Sequence, residues 1–210
     1  MKISVVFPFY IVRFPFYIFP FMPASATDLA QQLQQRFPQL LEGPVEFRGE
    51  LSLKLNDSSR IADVMRSAVS DLGFDMLLDI CSIDHLGSEP RFEIVYHLYS
   101  FGAHQYLRIK TLVGEETPEL PTVAGIWKGA DWHEREIFDM MGIRFTGHPD
   151  LRRILMWESY PHHPLRKEFP LSGLPVDDVV KPAPMAGGPF VTAPGEKTTY
   201  DREPRGKGQS

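Results

Sequence analysis

Three apolar runs of similar length follow one another in the middle of the chain: FDMLLDICSI (74–83), RFEIVYHLYS (91–100) and QYLRIKTLV (105–113). β-Branched and aromatic residues fill them, as strands prefer. The links DHLGSEP and FGAH are hairpin-sized, whereas a parallel crossover needs about a dozen residues or more. This block commits the chain to a sheet that is mostly antiparallel.

Helical patterns flank the block. Ser25 and Asp28 have the S-x-x-D spacing of a helix cap, and Leu29, Leu33 and Phe37 recur at helical intervals until Pro38. Val45, Phe47, Leu51, Leu53 and Leu55 then fall on odd positions around Gly49, which reads as one strand. Asp57 or Ser58 can cap a second helix with the stripe Ile61, Val64, Met65, Ala68, Val69 and Leu72. A further helical region follows Pro121, breaks near Gly129 and resumes through Trp132 to Met141. The order α-β-α-β-β-β predicts an α+β fold: a mostly antiparallel sheet with helices packed on it.

Beyond Gly147 the periodicity fades. Prolines recur at 149, 161, 164, 170, 175, 182, 184, 189, 194 and 204, so residues 146–210 read either as disordered or as an extended, partner-binding arm that orders on its partner. At the other end, ISVVFPFYIVRFPFYIFPF (3–21) is apolar enough to suggest a membrane segment. Arg13 at its centre would cost about 2.5–3.5 kcal/mol on insertion, and Pro8, Pro15 and Pro20 interrupt a helix. A signal-like leader ending near Ala24-Ser25-Ala26 competes with translation starting at Met22. The expected layout is an apolar leader at 1–23, an α+β domain at 24–145 and the arm at 146–210.

Composition excludes several functions. A net charge of −5 argues against a nucleic-acid partner. One cysteine, Cys81, supplies too few thiolates for an iron–sulfur cluster, and its place in an apolar strand predicts a buried, inert thiol. Asp84 and His85 are explained by turn chemistry. Gly195-Glu196-Lys197-Thr198 mimics the end of a phosphate loop but has no apolar helix after it.

The densest chemistry lies in HEREIFDMMGIRFTGHPDLRRIL (133–155). His133-Glu134 starts like the zinc motif H-E-x-x-H, but position 137 is Ile137, so the motif fails. His162 and His163 are adjacent in extended chain and point to opposite faces, which predicts solvated loop histidines. Projected at roughly 100° per residue, Ile137, Phe138 and Met141 share an apolar face with Glu134. Trp132, Arg135, Glu136 and Asp139 fall opposite, with Arg135 and Asp139 spaced for an i,i+4 ion pair. Glu134 on the apolar face requires a buried partner, expected to be His148, Arg152 or Arg153. Gly142 suits a left-handed cap, and Pro149 suits the first turn of a restarted helix.

Glu134-Arg135-Glu136, then Asp139, His148 and Arg152-Arg153-Ile154-Leu155, resemble the signature of the 30-kDa subunit family of NADH dehydrogenase, the C subunit of respiratory complex I. A second block, HPLRKEFPLSG (163–173) with Arg166 and Lys167, resembles the family's next stretch. Two departures are mild: the family more often has glycine at His162 and aspartate at Glu168. The resemblance implies a non-catalytic subunit of the hydrophilic arm, with Glu134, Arg135, Glu136, Asp139, His148, Arg152, Arg153, Arg166 and Lys167 in structural or interface roles. It implies no cofactor or metal in this subunit, within a proton-pumping complex that uses FMN, iron–sulfur clusters and quinone. The implied partners are the quinone-site D subunit and neighbouring cluster-bearing subunits, on the cytoplasmic side of the bacterial inner membrane. Alternatives are the equivalent subunit of a membrane-bound hydrogenase or other-donor dehydrogenase, and a free-standing hydrolase using His133, Glu134 and Asp139.

Overall fold

The computed structural model describes residues 25–173 and a short antiparallel pair, β1 (Val6–Phe7) with β2 (Tyr10–Ile11). Residues 1–5, 8–9, 12–24 and 174–210, which include most of the expected leader, the end of the expected arm and the stretch 195–198, lie outside the described residues.

Helix α1 (Ala26–Arg36) begins at a complete capping box: Ser25 Oγ accepts from Asp28 N–H, and the Asp28 carboxylate accepts from Ser25 N–H. The span 45–55 is not one strand. β3 (Leu41–Phe47) and β4 (Glu50–Leu55) form a hairpin, with Phe47 opposite Glu50. Arg48 (φ 53°) and Gly49 (φ 80°) make its two-residue turn, and both φ values are positive, as a twisted hairpin favours. Asp57 caps a single 3₁₀ turn (Ser58–Arg60) that leads into α2 (Ile61–Leu72). The three apolar runs become β5 (Met76–Asp84), β6 (Phe92–Ser100) and β7 (Gln105–Val113).

The sheet order is β3-β4-β7-β6-β5. Three neighbouring pairs are antiparallel and one, β4 with β7, is parallel, so the sheet is mixed. Leu29 and Leu33 of α1 and Val64, Met65 and Ala68 of α2 share one core with Leu53, Leu55, Phe92, Ile94, Leu98 and Ile109. Fully burying one such large side chain stabilises by about 1.5–3 kcal/mol.

Two short strands were not expected. β8 (Glu119–Pro121) pairs in parallel with β9 (Arg144–Thr146), and helix α3 (Ala130–Met141) is the crossover between them. The chain turns through Val123–Trp127 before α3 begins, with Ile126 and Trp127 N–H donating to Val123 O. α3 lies beside β5, where His133 Nδ1 is 3.2 Å from Asp79 Oδ1 and Trp127 Nε1 donates to Asp75 O. The small β-α-β unit carries Thr122 and Val123 directly after β8 and His148 just after β9, all close to α3.

Residues 149–173 contain no helix or strand, so the restart expected at Pro149 does not occur. The N–H groups of Ile154, Leu155 and Met156 are used instead on a carboxylate of α3.

Candidate functional site

The last four carbonyls of an α-helix have no partner within the helix. In α3 each of them finds one. Gly142 N–H donates to Phe138 O at 3.0 Å and Leu165 N–H to Met140 O at 3.1 Å. Arg166 Nε donates to Met141 O at 2.7 Å. Asp139 O accepts from Arg153 Nη1 at 3.2 Å and from His163 Nδ1 at 2.9 Å. Three of these donors belong to cationic or imidazole side chains, the favourable chemistry at the negative end of a helix dipole.

His163 is therefore not a solvated loop histidine. It is half-buried, and burial together with the Arg166 and Arg153 charges lowers its pKa, against the Asp139 carbonyl bond that raises it. His162 is half-buried too, its ring in an edge contact with Tyr160. Gly142 is required twice over. Its φ is 75°, and a Cβ there would lie 2.5 Å from His163 Nε2 and 2.7 Å from Arg166 Nη2.

Asp139 and Arg135 are both buried, and they do not pair with each other. The arm covers that side of the helix and takes both residues. Arg153 Nη1 donates to Asp139 Oδ1 at 2.7 Å, while the N–H groups of Ile154, Leu155 and Met156 converge on Oδ2 at 3.1, 2.7 and 2.8 Å. Burial pushes the Asp139 carboxyl up, but the Met156 and Leu155 N–H groups and the Arg153 guanidinium outweigh it. The net pKa lies below the usual aspartate value. Arg135 Nε donates to Arg152 O at 3.2 Å, and its guanidinium lies over the Trp132 ring at 5.0 Å. Trp132 is 62% exposed, and Glu136 is exposed.

Glu134 is fully buried. Neither Arg152 nor Arg153 reaches it: the Arg152 side chain pairs with Asp150 at 2.9 Å, and Arg153 with Asp139. Thr122 Oγ1 donates to Glu134 Oε2 at 2.5 Å and Val123 N–H to Oε1 at 2.7 Å. His148 Nε2 stands 3.8 Å from Oε2. Burial pushes the Glu134 carboxyl up to about 7, helped by the Asp131 charge and opposed by the Thr122 and Val123 donors.

A second anchor was missed by sequence reasoning. Asp84 is not an ordinary turn acid; it is buried and accepts both Nε and Nη2 of Arg91 at 2.8 Å. Lys167 N–H also donates to Asp84 Oδ2 at 2.8 Å, so Lys167 meets the domain through its backbone. Arg91 reaches Glu115 at 2.6 Å and Glu168 of the arm besides. The Arg91 bond leads in lowering the Asp84 pKa to about 2, and the acids raise that of Arg91. The available signal was Arg91 itself, a lone guanidinium opening an apolar strand, where burial demands a carboxylate. Both Arg91 and Arg166 lie against the Phe92 ring, at 4.9 and 5.3 Å.

Cys81 is half-buried, and burial followed by the Asp79 bond pushes its thiol up to about 12, which suppresses the nucleophilic thiolate. Among the described residues, no cluster of three or more His, Cys, Asp or Glu is arranged to hold a metal ion. Nor is any described helix long and apolar enough to cross a membrane.

Fold and site define a class: an α+β scaffold domain whose charged helix is fastened by its own arm. The family described as respiratory-chain NADH dehydrogenase, 30 Kd subunit, matches residues 55–175. The C subunit of NADH-quinone oxidoreductase from Roseiflexus sp. (strain RS-1) is 48% identical over 152 residues, 71% of this chain and 87% of that protein. Among solved structures, a trypsin-resistant fragment (1-134) of Nqo5 aligns with TM-score 0.50 and 31% identity, over 58% of this chain and 95% of the fragment. A chain of the membrane-bound sulfane sulfur reductase, an archaeal respiratory membrane complex, aligns with TM-score 0.60 and 25% identity, over 69% and 85% of the two chains. The chain belongs to the 30 Kd subunit family of respiratory-chain NADH dehydrogenase.

Proposed function

We propose that this chain is the non-catalytic C subunit in the hydrophilic arm of a proton-pumping NADH:quinone oxidoreductase. It holds the quinone-site D subunit and the neighbouring cluster-bearing subunits in register, while FMN, iron–sulfur clusters and quinone are carried by those other subunits. It sits peripherally on the cytoplasmic side of the bacterial inner membrane, and the outer face of residues 149–173 meets a neighbour.

One observation carries this reading. The buried acids of α3 and β5 that would serve catalysis are spent on internal contacts, Asp139 on the arm backbone, Asp84 on Arg91 and Glu134 on Thr122 and Val123. Exposed apolar side chains remain on the same elements: Trp132 on α3, and Leu155, Leu165 and Leu171 on the arm. Aromatic and aliphatic groups of this kind are the usual anchors of protein interfaces. A similar chain occurs in the archaeal sulfane sulfur reductase complex, but the greater identity is to NADH-quinone oxidoreductase subunits.

The test is affinity purification of the tagged chain from mildly solubilised native membranes. NADH:quinone oxidoreductase activity, flavin and iron should co-purify with it, and the isolated chain should carry none of these. Capture of a complex with a different donor activity, or full activity in a preparation lacking the chain, would overturn the proposal.

A further inference from the structure

Between α3 and the first turn of the arm lies a buried polar cluster that the scaffold role does not require. Its members come from four elements. α3 contributes Glu134 and, one turn earlier, Asp131; the segment after β8 contributes the Thr122 hydroxyl and the Val123 N–H; the arm contributes His148; β6 contributes Tyr96. The side chains of Glu134 and His148 have no solvent exposure, and that of Asp131 is one-third exposed.

The imidazole is held in one tautomer. His148 Nδ1 accepts from Asp150 N–H at 3.1 Å, so the ring proton of neutral His148 sits on Nε2. That nitrogen stands 3.1 Å from Asp131 Oδ1 and 3.8 Å from Glu134 Oε2, without a well-directed hydrogen bond to either. One N–H thus faces two carboxylates. The Tyr96 hydroxyl, fully buried, finds no hydrogen-bond partner among the described residues, and its burial and the Glu134 charge both hold it protonated. It therefore brings no compensating charge. No arginine or lysine among the described residues pairs with the cluster either, since Arg152 and Arg153 pair with Asp150 and Asp139. Two ionised carboxylates in such a place repel each other, and one imidazole between them can carry at most a single positive charge.

We propose that Glu134, Asp131 and His148 form a proton-operated latch, in which uptake of one proton by Glu134 tightens the seat of the arm on the domain. With Glu134 neutral, its carboxyl keeps the Val123 and Thr122 contacts, and His148 faces the single Asp131 charge. With Glu134 ionised, the second buried charge opposes closure, and lifting the 147–150 turn relieves it by admitting water.

The sign follows from linkage. The closed state holds the Glu134 proton up to about pH 7, whereas an exposed glutamate releases it near its ordinary 4.5. Opening of the arm therefore rises with pH between those values, by at most about tenfold per unit, and levels off above the upper one. Acidification from pH 7 tightens the latch.

Hydrogen–deuterium exchange of the full-length chain tests this, following the amides of Gly147, His148 and Asp150 from pH 5 to 8 after correction for intrinsic chemistry. The expected result is a rise in opening on the order of a hundredfold, flattening near pH 7. Glu134→Gln, which retains shape and acceptor capacity, should abolish the pH dependence and hold the arm closed throughout. Asp131→Asn should move the flattening to lower pH, a shift that a merely structural role would not produce. Opening in the wild type that is independent of pH overturns the proposal. So does an unchanged profile in both Glu134→Gln and Asp131→Asn.

Discussion

Two carboxylates on the same helix, five residues apart, are equally buried and respond in opposite ways. Glu134 and Asp139 both have no exposed surface. Asp139 accepts from a guanidinium and three consecutive backbone N–H groups, and its pKa falls. Glu134 accepts from one hydroxyl and one N–H, has a second acid for a neighbour, and its pKa rises to about 7. Burial alone decides neither outcome; the number and charge of the donors does. Asp139 acts as a fixed anchor, and Glu134 as a group that titrates in the neutral range.

The largest effects should come from removing an anchor. Asp139→Ala leaves Arg153 and three N–H groups without their carboxylate, and should cost about 3–5 kcal/mol in denaturant unfolding of the full chain. Asp84→Ala should cost somewhat less, because the buried Arg91 loses its bidentate partner but keeps Glu115 and Glu168. For both acids the folded pKa is depressed, so their stabilisation is present above the unfolded value of about 3.9. It is lost as pH falls through the folded value, about 2 for Asp84. Acid unfolding curves should steepen in that window, and each substitution should remove part of the slope.

Next in size is Gly142→Ala. Its left-handed backbone and the contact with His163 and Arg166 should cost about 1–3 kcal/mol. The same variant should raise exchange at Leu165, whose N–H donates to the neighbouring carbonyl of Met140.

Glu134→Gln should act with the opposite sign. The native acid weakens the fold increasingly from pH 4.5 to about 7, so the amide should stabilise by about 1–3 kcal/mol at pH 8 and change little at pH 5. Thermal unfolding at the two pH values separates the cases. A loss at pH 8 as large as that of Asp139→Ala would erase the distinction between the two acids.

The smallest effect on the isolated chain is expected for Trp132→Ala, within about 0.5 kcal/mol. Trp132 is 62% exposed, and the Arg135 guanidinium lies over its ring. Its weight should fall on assembly, as loss of the chain from the native complex during gel filtration. Unchanged retention would remove Trp132 from the proposed interface.

Local chemistry was legible in the sequence. The Ser25–Asp28 box, the α2 stripe, the three central strands and the Gly142 cap follow from neighbouring residues alone, and the structure has each of them. The β3–β4 hairpin was concealed by a coincidence of parity. A two-residue turn exchanges the faces of odd and even positions, so odd-numbered Val45 and Phe47 point away from the core that holds odd-numbered Leu51, Leu53 and Leu55. Alternation that looks continuous across Gly49 is two opposed patterns.

What covers the charged face of α3 was hidden for a different reason. A helical projection sorts residues by angle and knows nothing of what will cover them. Asp139 and Arg135 are buried by residues 152–156, which the projection left in a separate helix. The resemblance to the 30-kDa subunit family drew attention to these positions as a group, without indicating which partner each would take. Asp84 and Arg91 escaped because their tie to Lys167 and Glu168 spans more than 70 residues of chain.

The contrast between the two acids can be measured directly. A carbon-13 NMR titration of the side-chain carboxyls in the full-length chain, assigned through Glu134→Gln and Asp139→Asn, reports each midpoint separately. The expected result is a Glu134 midpoint near 7 and an Asp139 midpoint below that of an ordinary aspartate. Two midpoints at ordinary carboxylate values, near about 4, would contradict it.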